Sequence, residues 1–132
     1  MQLEAGSPAQ WLAYARSDLA LARAAGTEDV LWETLCFHLQ QAVEKSLKAI
    51  LVHRGVRFPK THSIERLAGL LPSALPRPAE LIAAFSLSEY ATTFRYPGQE
   101  EPVSEAHYEE ALRLAEAVYA WAQEYVRGHA GP

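Results

Sequence analysis

Between Leu35 and Leu51, apolar residues recur at Leu35, Leu39, Val43, Leu47 and Ile50, with Ser46 beside them. Steps of three and four residues wind one continuous stripe along an α-helix. The polar residues of the same stretch are also ordered. Gln41, Lys45 and Lys48 follow one another at four and three positions, which places them within about 60° of each other on the side opposite the stripe. His38 sits at their edge. The spacing predicts a long helix with one side buried and the other basic.

The rest of the chain reads the same way. Ser7-Pro-Ala-Gln10 has the pattern of a capping box with proline at the first helical position, and Gly26 closes the helix it opens. Trp11, Leu12, Ala15, Leu19 and Ala22 form its apolar stripe. Thr27, followed by Glu28 and Asp29, is the expected cap of the second helix, which runs to about Arg54 before Gly55. A loop around Pro59 leads to a short helix from about His62 to Leu71. Pro72, Pro76 and Pro78 bridge to a fourth helix, expected from Pro78 to about Tyr96, where Pro97-Gly98 stops it. Its expected stripe is Leu81, Ala84, Phe85, Ser88, Ala91 and Phe94. Ser104 caps a fifth helix reaching about Arg127, and residues 128–132 are expected to fray. No segment alternates as a strand would. The fold class expected is all-α: an up-and-down four-helix bundle with one short connector helix, in a single domain spanning 1–132.

At 132 residues the chain can bury an independent core without staples. Its single cysteine, Cys36, falls on the apolar side of the second helix, so a buried thiol is expected rather than a disulfide or a nucleophile. No apolar run approaches the length of a membrane span, and nothing resembles a signal peptide; the expected location is the cytoplasm. The chain has no Asn and favours Arg over Lys, which suits a thermophile. A net charge of −4 argues against broad binding to nucleic acid, yet residues 45–66 carry +5 and residues 100–126 carry −6. The basic segment could hold an anion, or both could be solvated helix faces.

Five histidines are scattered along the chain with no pair at ligand spacing, so neither a metal nor a cofactor is expected. No nucleophile elbow or glycine-rich phosphate loop is present. What remains is cationic. Arg54, Arg57, Lys60, Thr61, His62 and Ser63 cluster where one helix ends and the next begins, and they either hold a phosphate or simply cap the two helices. Tyr90-Ala-Thr-Thr-Phe-Arg-Tyr-Pro97 places Arg95 and Tyr96 against a proline stop, a combination that suits a phosphate and a base.

Taken together, Phe37-x-x-Gln40-Gln41-Ala42-x-Glu44-Lys45-x-Leu47-Lys48-Ala49, then Gly55, His62-Ser63-x-x-x-Leu67 and Arg95-Tyr96-Pro97 resemble the HEPN domain in its stand-alone prokaryotic form. The resemblance covers essentially the whole chain, with Trp11, Ala15 and Asp18-Leu19 in the opening helix. It implies a bundle of about five helices that often forms a homodimer and is encoded beside a minimal nucleotidyltransferase, and it extends to the helical domain that completes the nucleotide site of kanamycin nucleotidyltransferase. Many HEPN proteins are toxin ribonucleases of toxin-antitoxin pairs, with an arginine followed some four to six residues on by a histidine. Here Arg95 is followed by His107, twelve positions on, beyond a proline-bearing loop. Arg57 to His62 fits the spacing by letter, but around Pro59 it reads as coincidence.

The first expectation is therefore a module that binds a nucleotide or RNA phosphate rather than cutting it, through Gln41, Lys45, Lys48, His62, Arg95 and Tyr96. Its partner would be a separately encoded nucleotidyltransferase. The second is a metal-independent ribonuclease with Arg95 as phosphate clamp and His62 or His107 supplied across a dimer. The third is a structural dimerisation partner, whose Gln41, Lys45 and Lys48 pack against Glu105, Glu109 and Glu116 of another copy.

Overall fold

The computed structural model describes residues 6–24, 29–91 and 102–131. Within them the chain forms α1 (Pro8–Arg23), α2 (Trp32–His53), α3 (Ile64–Gly69), α4 (Ala79–Ala83), a 3-10 helix (Ala84–Ala91) and α5 (Glu105–Gly128), with no strand. The all-α expectation holds. Among the described residues, no helix is long and apolar enough to cross a membrane.

The capping residues act as their sequence suggests. Ser7 Oγ accepts the Gln10 N–H at 3.1 Å and Gln10 Oε1 accepts the Ser7 N–H at 2.8 Å, which satisfies two donors at the start of α1. Ser104 opens α5 with the same reciprocal pattern, His107 standing where Glu or Gln is usual. Gly55 follows α2 at φ 72°, a backbone conformation that favours glycine.

Two boundaries differ from expectation. α2 begins at Trp32 with Leu31 as N-cap and no side-chain cap bond, while Asp29 and Val30 lie outside it. Thr27, the expected cap, and Gly26 lie outside the described residues. Tertiary packing sets the start instead: the Trp32 ring rests on Tyr108 of α5, centroids 5.1 Å apart. The expected fourth helix is a single α turn that tightens into a 3-10 helix at Ala84, and its remainder beyond Ala91 lies outside the described residues. The physical reason is a different period. Leu81, Ala84, Leu87 and Tyr90 are buried at steps of three, with Ala91 buried next to the last, and residues three apart eclipse in a 3-10 helix. Ser and Tyr, both weak helix formers, crowd the segment.

The three long helices define the bundle. Trp32 meets Tyr108 at one end, and His53 meets Tyr125 at the other, 6.1 Å between ring centroids, so α2 and α5 run parallel. α1 runs antiparallel to both. Its Asp18 reaches His38 and Lys45 of α2, and its Ala22 carbonyl accepts the Tyr108 hydroxyl at 2.9 Å. α2 is thus the central helix; from Leu39 to Leu51 only Gln41 and Lys45 are not buried. Leu39, Leu47, Ile50, Leu67, Leu81 and Val118 fill the core around it.

At the chain end, where fraying was expected from Gly128, that glycine is the last residue of α5. His129 is tied in both directions. Its Nδ1 donates to the Tyr125 carbonyl at 3.0 Å, and its own carbonyl accepts His53 Nε2 at 2.7 Å.

Candidate functional site

The side of α2 that carries Gln41, Lys45 and Lys48 is not an open basic face. α1 lies across it. Lys48 is buried, its side chain 3% exposed, beneath the Trp11 ring at 5.2 Å and beside Phe58 at 5.9 Å. Its Nζ donates to Glu44 Oε2 at 2.9 Å. Lys45 donates to Asp18 Oδ2 at 2.7 Å and stands 5.9 Å from the Tyr14 ring. Gln41 Oε1 is buried with no hydrogen-bond partner among the described residues. The predicted stripe is a seam between helices. A cation removed from water must be paired and hydrogen-bonded, and both lysines are. Lys48 is therefore not a ligand-facing cation, and the stripe is not a face that another copy could cover. Glu116, one of the acids expected to receive it, is held by Arg23 at 2.7 Å.

Asp18 and Glu44 were not singled out as site residues, yet they organise this seam. Each carboxylate accepts a lysine on one oxygen and a histidine on the other. Asp18 takes Lys45 and His38, with His38 Nδ1 at 2.9 Å. Glu44 takes Lys48 and His62, with His62 Nδ1 at 2.9 Å. Gln40 completes the second group by donating from Nε2 to Glu44 Oε1 at 3.1 Å and to the His62 carbonyl at 3.0 Å.

His62 is the residue that leaves this network for solvent. Its side chain is 61% exposed while that of Glu44 is 4% exposed. A carboxylate can only accept, so Nδ1 carries the proton, and the neutral form of the ring presents the Nε2 lone pair outward. Three constraints fix the ring: the Glu44 bond, the Gln40 bond to its carbonyl, and Ser63, the N-cap of α3, one residue on. Phe58, buried in the preceding loop, anchors that loop to the core. Arg57, Lys60 and Arg66 are exposed in the same stretch.

The polar groups at the start of α3 are engaged in capping rather than free for an anion. Thr61 Oγ1 accepts the Ser63 N–H at 3.1 Å, and Ser63 Oγ accepts the Arg66 N–H at 3.1 Å. The Ile64 N–H goes to Ser88 Oγ of the 3-10 helix at 2.9 Å. Arg54 donates to the Tyr125 hydroxyl at 3.2 Å. Of the expected site, the structure thus brings His62 to the surface and takes Lys48 into the interior. Arg95 and Tyr96 lie outside the described residues. His107, the other histidine considered for catalysis, has Nδ1 accepting the Ser104 N–H at 3.0 Å.

Cys36 is buried as expected. Burial pushes its thiol up to about 11, against which a hydrogen bond with Tyr90 acts only partly, and burial also pushes the Tyr90 hydroxyl up to about 12. At neutral pH both are protonated, so neither offers a nucleophile. Among the described residues no group of three or more His, Cys, Asp or Glu could hold a metal ion.

The comparisons with known proteins agree with this architecture. Residues 9–125 match the model of the HEPN domain family. The chain is similar to the crystal structure of TT1696 from Thermus thermophilus, with 31% identity and a TM-score of 0.77 over 89% of this chain and 96% of that one. It is also similar to ST0689, an archaeal HEPN homologue, with 27% identity and a TM-score of 0.71 over 92% and 99% of the two chains. Among curated proteins no significant match is found.

Proposed function

Since the chain belongs to the HEPN domain family, we propose that it is a cytoplasmic module that binds a nucleotide or RNA phosphate at His62 and acts with a separately encoded minimal nucleotidyltransferase in a toxin-antitoxin type pair. The observation that carries this reading is an imidazole 61% exposed and held by a carboxylate 4% exposed. Such an arrangement keeps the ring ready at one orientation, so little entropy is lost when a ligand is bound. Arg57, Lys60 and Arg66 surround it in sequence with exposed positive charge. Arg95 and Tyr96 are proposed as the second half of the site, one for the phosphate and one to stack on a base. Lys48 serves the same site from within, by holding the Glu44 carboxylate, while Lys45 holds Asp18. Calorimetry of the purified protein with ATP, GTP and a short RNA is the test. Heat that disappears in Arg95→Ala and His62→Gln supports the reading, and no heat at millimolar ligand sinks it.

The Glu44–His62 pair also favours a second reading, a metal-independent ribonuclease. An imidazole whose Nδ1–H is fixed on a carboxylate offers Nε2 as a base toward a 2′-hydroxyl, and Arg95 would stabilise the phosphate. This reading expects RNA cleavage in the presence of EDTA and growth arrest on expression of the gene alone, both lost in Arg95→Ala. Intact RNA under those conditions leaves binding as the activity.

A further inference from the structure

Away from His62, the connector between α3 and α4 stands off from the last turns of α5 and leaves two adjoining hollows of about 460 and 240 Å³. They share Leu75, Pro76, Tyr125 and His129, so they form one groove. The larger part adds Trp121, Pro78 and Glu124, whose carboxylate is paired with Arg127 at 3.4 Å; the smaller adds Arg54 and Ala74, so the anionic group of a ligand belongs at the smaller end. His62 lines neither.

The groove is built rather than incidental. Pro72, Pro76 and Pro78 stiffen the connector. Arg77 ties it down, donating to the carbonyls of Ala68 at 3.3 Å, Pro72 at 2.7 Å and Leu75 at 3.3 Å. The opposite wall is equally fixed: the His129 ring stacks on Tyr125 at 4.2 Å, and its backbone is held by His53. A preformed hollow of a few hundred Å³ with aromatic walls and a few polar groups is the usual form of a small-molecule site.

Its chemistry selects the occupant. Trp121 and the proline rings of the larger part offer flat apolar surface to an aromatic ring. Arg54 at the smaller end uses one guanidinium N–H on the Tyr125 hydroxyl, and the others can meet a carboxylate or phosphate in bidentate fashion. We propose that this groove binds a small aromatic anion, with its ring against Trp121 and its charged group on Arg54. The shared chemistry has two sources, a nucleoside monophosphate or an aromatic carboxylate.

Titration calorimetry with adenosine 5′-monophosphate and with indole-3-acetate distinguishes them. At least one should bind, more tightly than uncharged indole. Arg54→Gln and Ala74→Asp, both at exposed positions, should each weaken binding by about tenfold or more, the loss expected for a charge-assisted contact. Trp121→Leu should weaken it further with its melting transition checked in parallel, and His62→Gln should leave it unchanged. The inference is overturned if neither anion binds at about 5 mM, if indole binds as well as the anions, or if Arg54→Gln and Ala74→Asp leave affinity intact. Loss in His62→Gln alone assigns the binding to the phosphate site and overturns it as well.

Discussion

Asp18 and Glu44 have the same partners, one lysine and one histidine each, and they do different work because they sit on different helices. Asp18 belongs to α1 and both its partners to α2, so it clasps two helices together, with His38 25% exposed. Glu44 and Lys48 are both on α2, four residues apart, and the partner from outside is His62, in the loop before α3. The first network is a structural joint. In the second, the buried pair is the foundation and the histidine is what it supports. A carboxylate–lysine–histidine set therefore says nothing about function until the exposure of its histidine is known.

The comparison is broken most severely by removing Glu44. Glu44→Leu takes one carboxylate from the buried Lys48 beneath Trp11, a loss of up to about 3–5 kcal/mol. Chemical denaturation should show a large fall in midpoint. Glu44→Leu combined with Lys48→Met should restore most of it, because an apolar pair of similar volume replaces an ion pair at little cost; failure of the double variant to recover would mean that the network carries more than its own charges. Asp18→Asn is the next largest effect, about 1–2 kcal/mol, since Lys45 and His38 retain partial access to water. That ordering of the two carboxylates is the sharpest check on their different burial.

Much of this was legible in the sequence, and the failures have physical causes. Core positions of α2, the capping box at Ser7, the cap at Ser104 and the turn at Gly55 follow from local rules, because period, cap and positive φ act within a few residues. The 3-10 helix has a period of three in Leu81, Ala84, Leu87 and Tyr90, but Leu81 and Ala84 also begin an α-helical stripe through Phe85, Ser88 and Ala91, and that stripe competes with it in the sequence. The seam was misread for a deeper reason. A polar stripe on one helix reads as solvated unless a complementary stripe is sought on another. That complement was present: Asp18 stands among Trp11, Ala15 and Ala22 at core spacing, a charge on an apolar face that calls for a cation on the helix packed against it. Glu44, four residues from both Gln40 and Lys48, carried the matching signal within α2.

His62→Gln separates foundation from function. His62 is largely exposed, so its loss should change stability by about 0.5 kcal/mol or less, while the heat of phosphate binding falls by about tenfold or more. His38→Gln should alter neither binding nor the RNA-dependent signal, because that ring serves the joint.

A last effect comes from a buried polar pair without a carboxylate. The folded Cys36 thiol titrates at about 11 against 9.0 for an unperturbed thiol. Between those values the unfolded chain has released a proton that the native state keeps, so ν_U is below ν_N and stability must fall as pH rises. Below about pH 9 the contribution is fully present; through about pH 11 it is lost. Tyr90, shifted upward to about 12, adds a similar slope at higher pH. Denaturation midpoints followed from about pH 8 to about pH 10.5 should decline, and Cys36→Ala should decline less steeply, its own cavity cost being the same at each pH. Equal slopes in the two proteins would show that the thiol ionises as readily folded as unfolded, and that the α2 face against Tyr90 admits water where the Lys48 face does not.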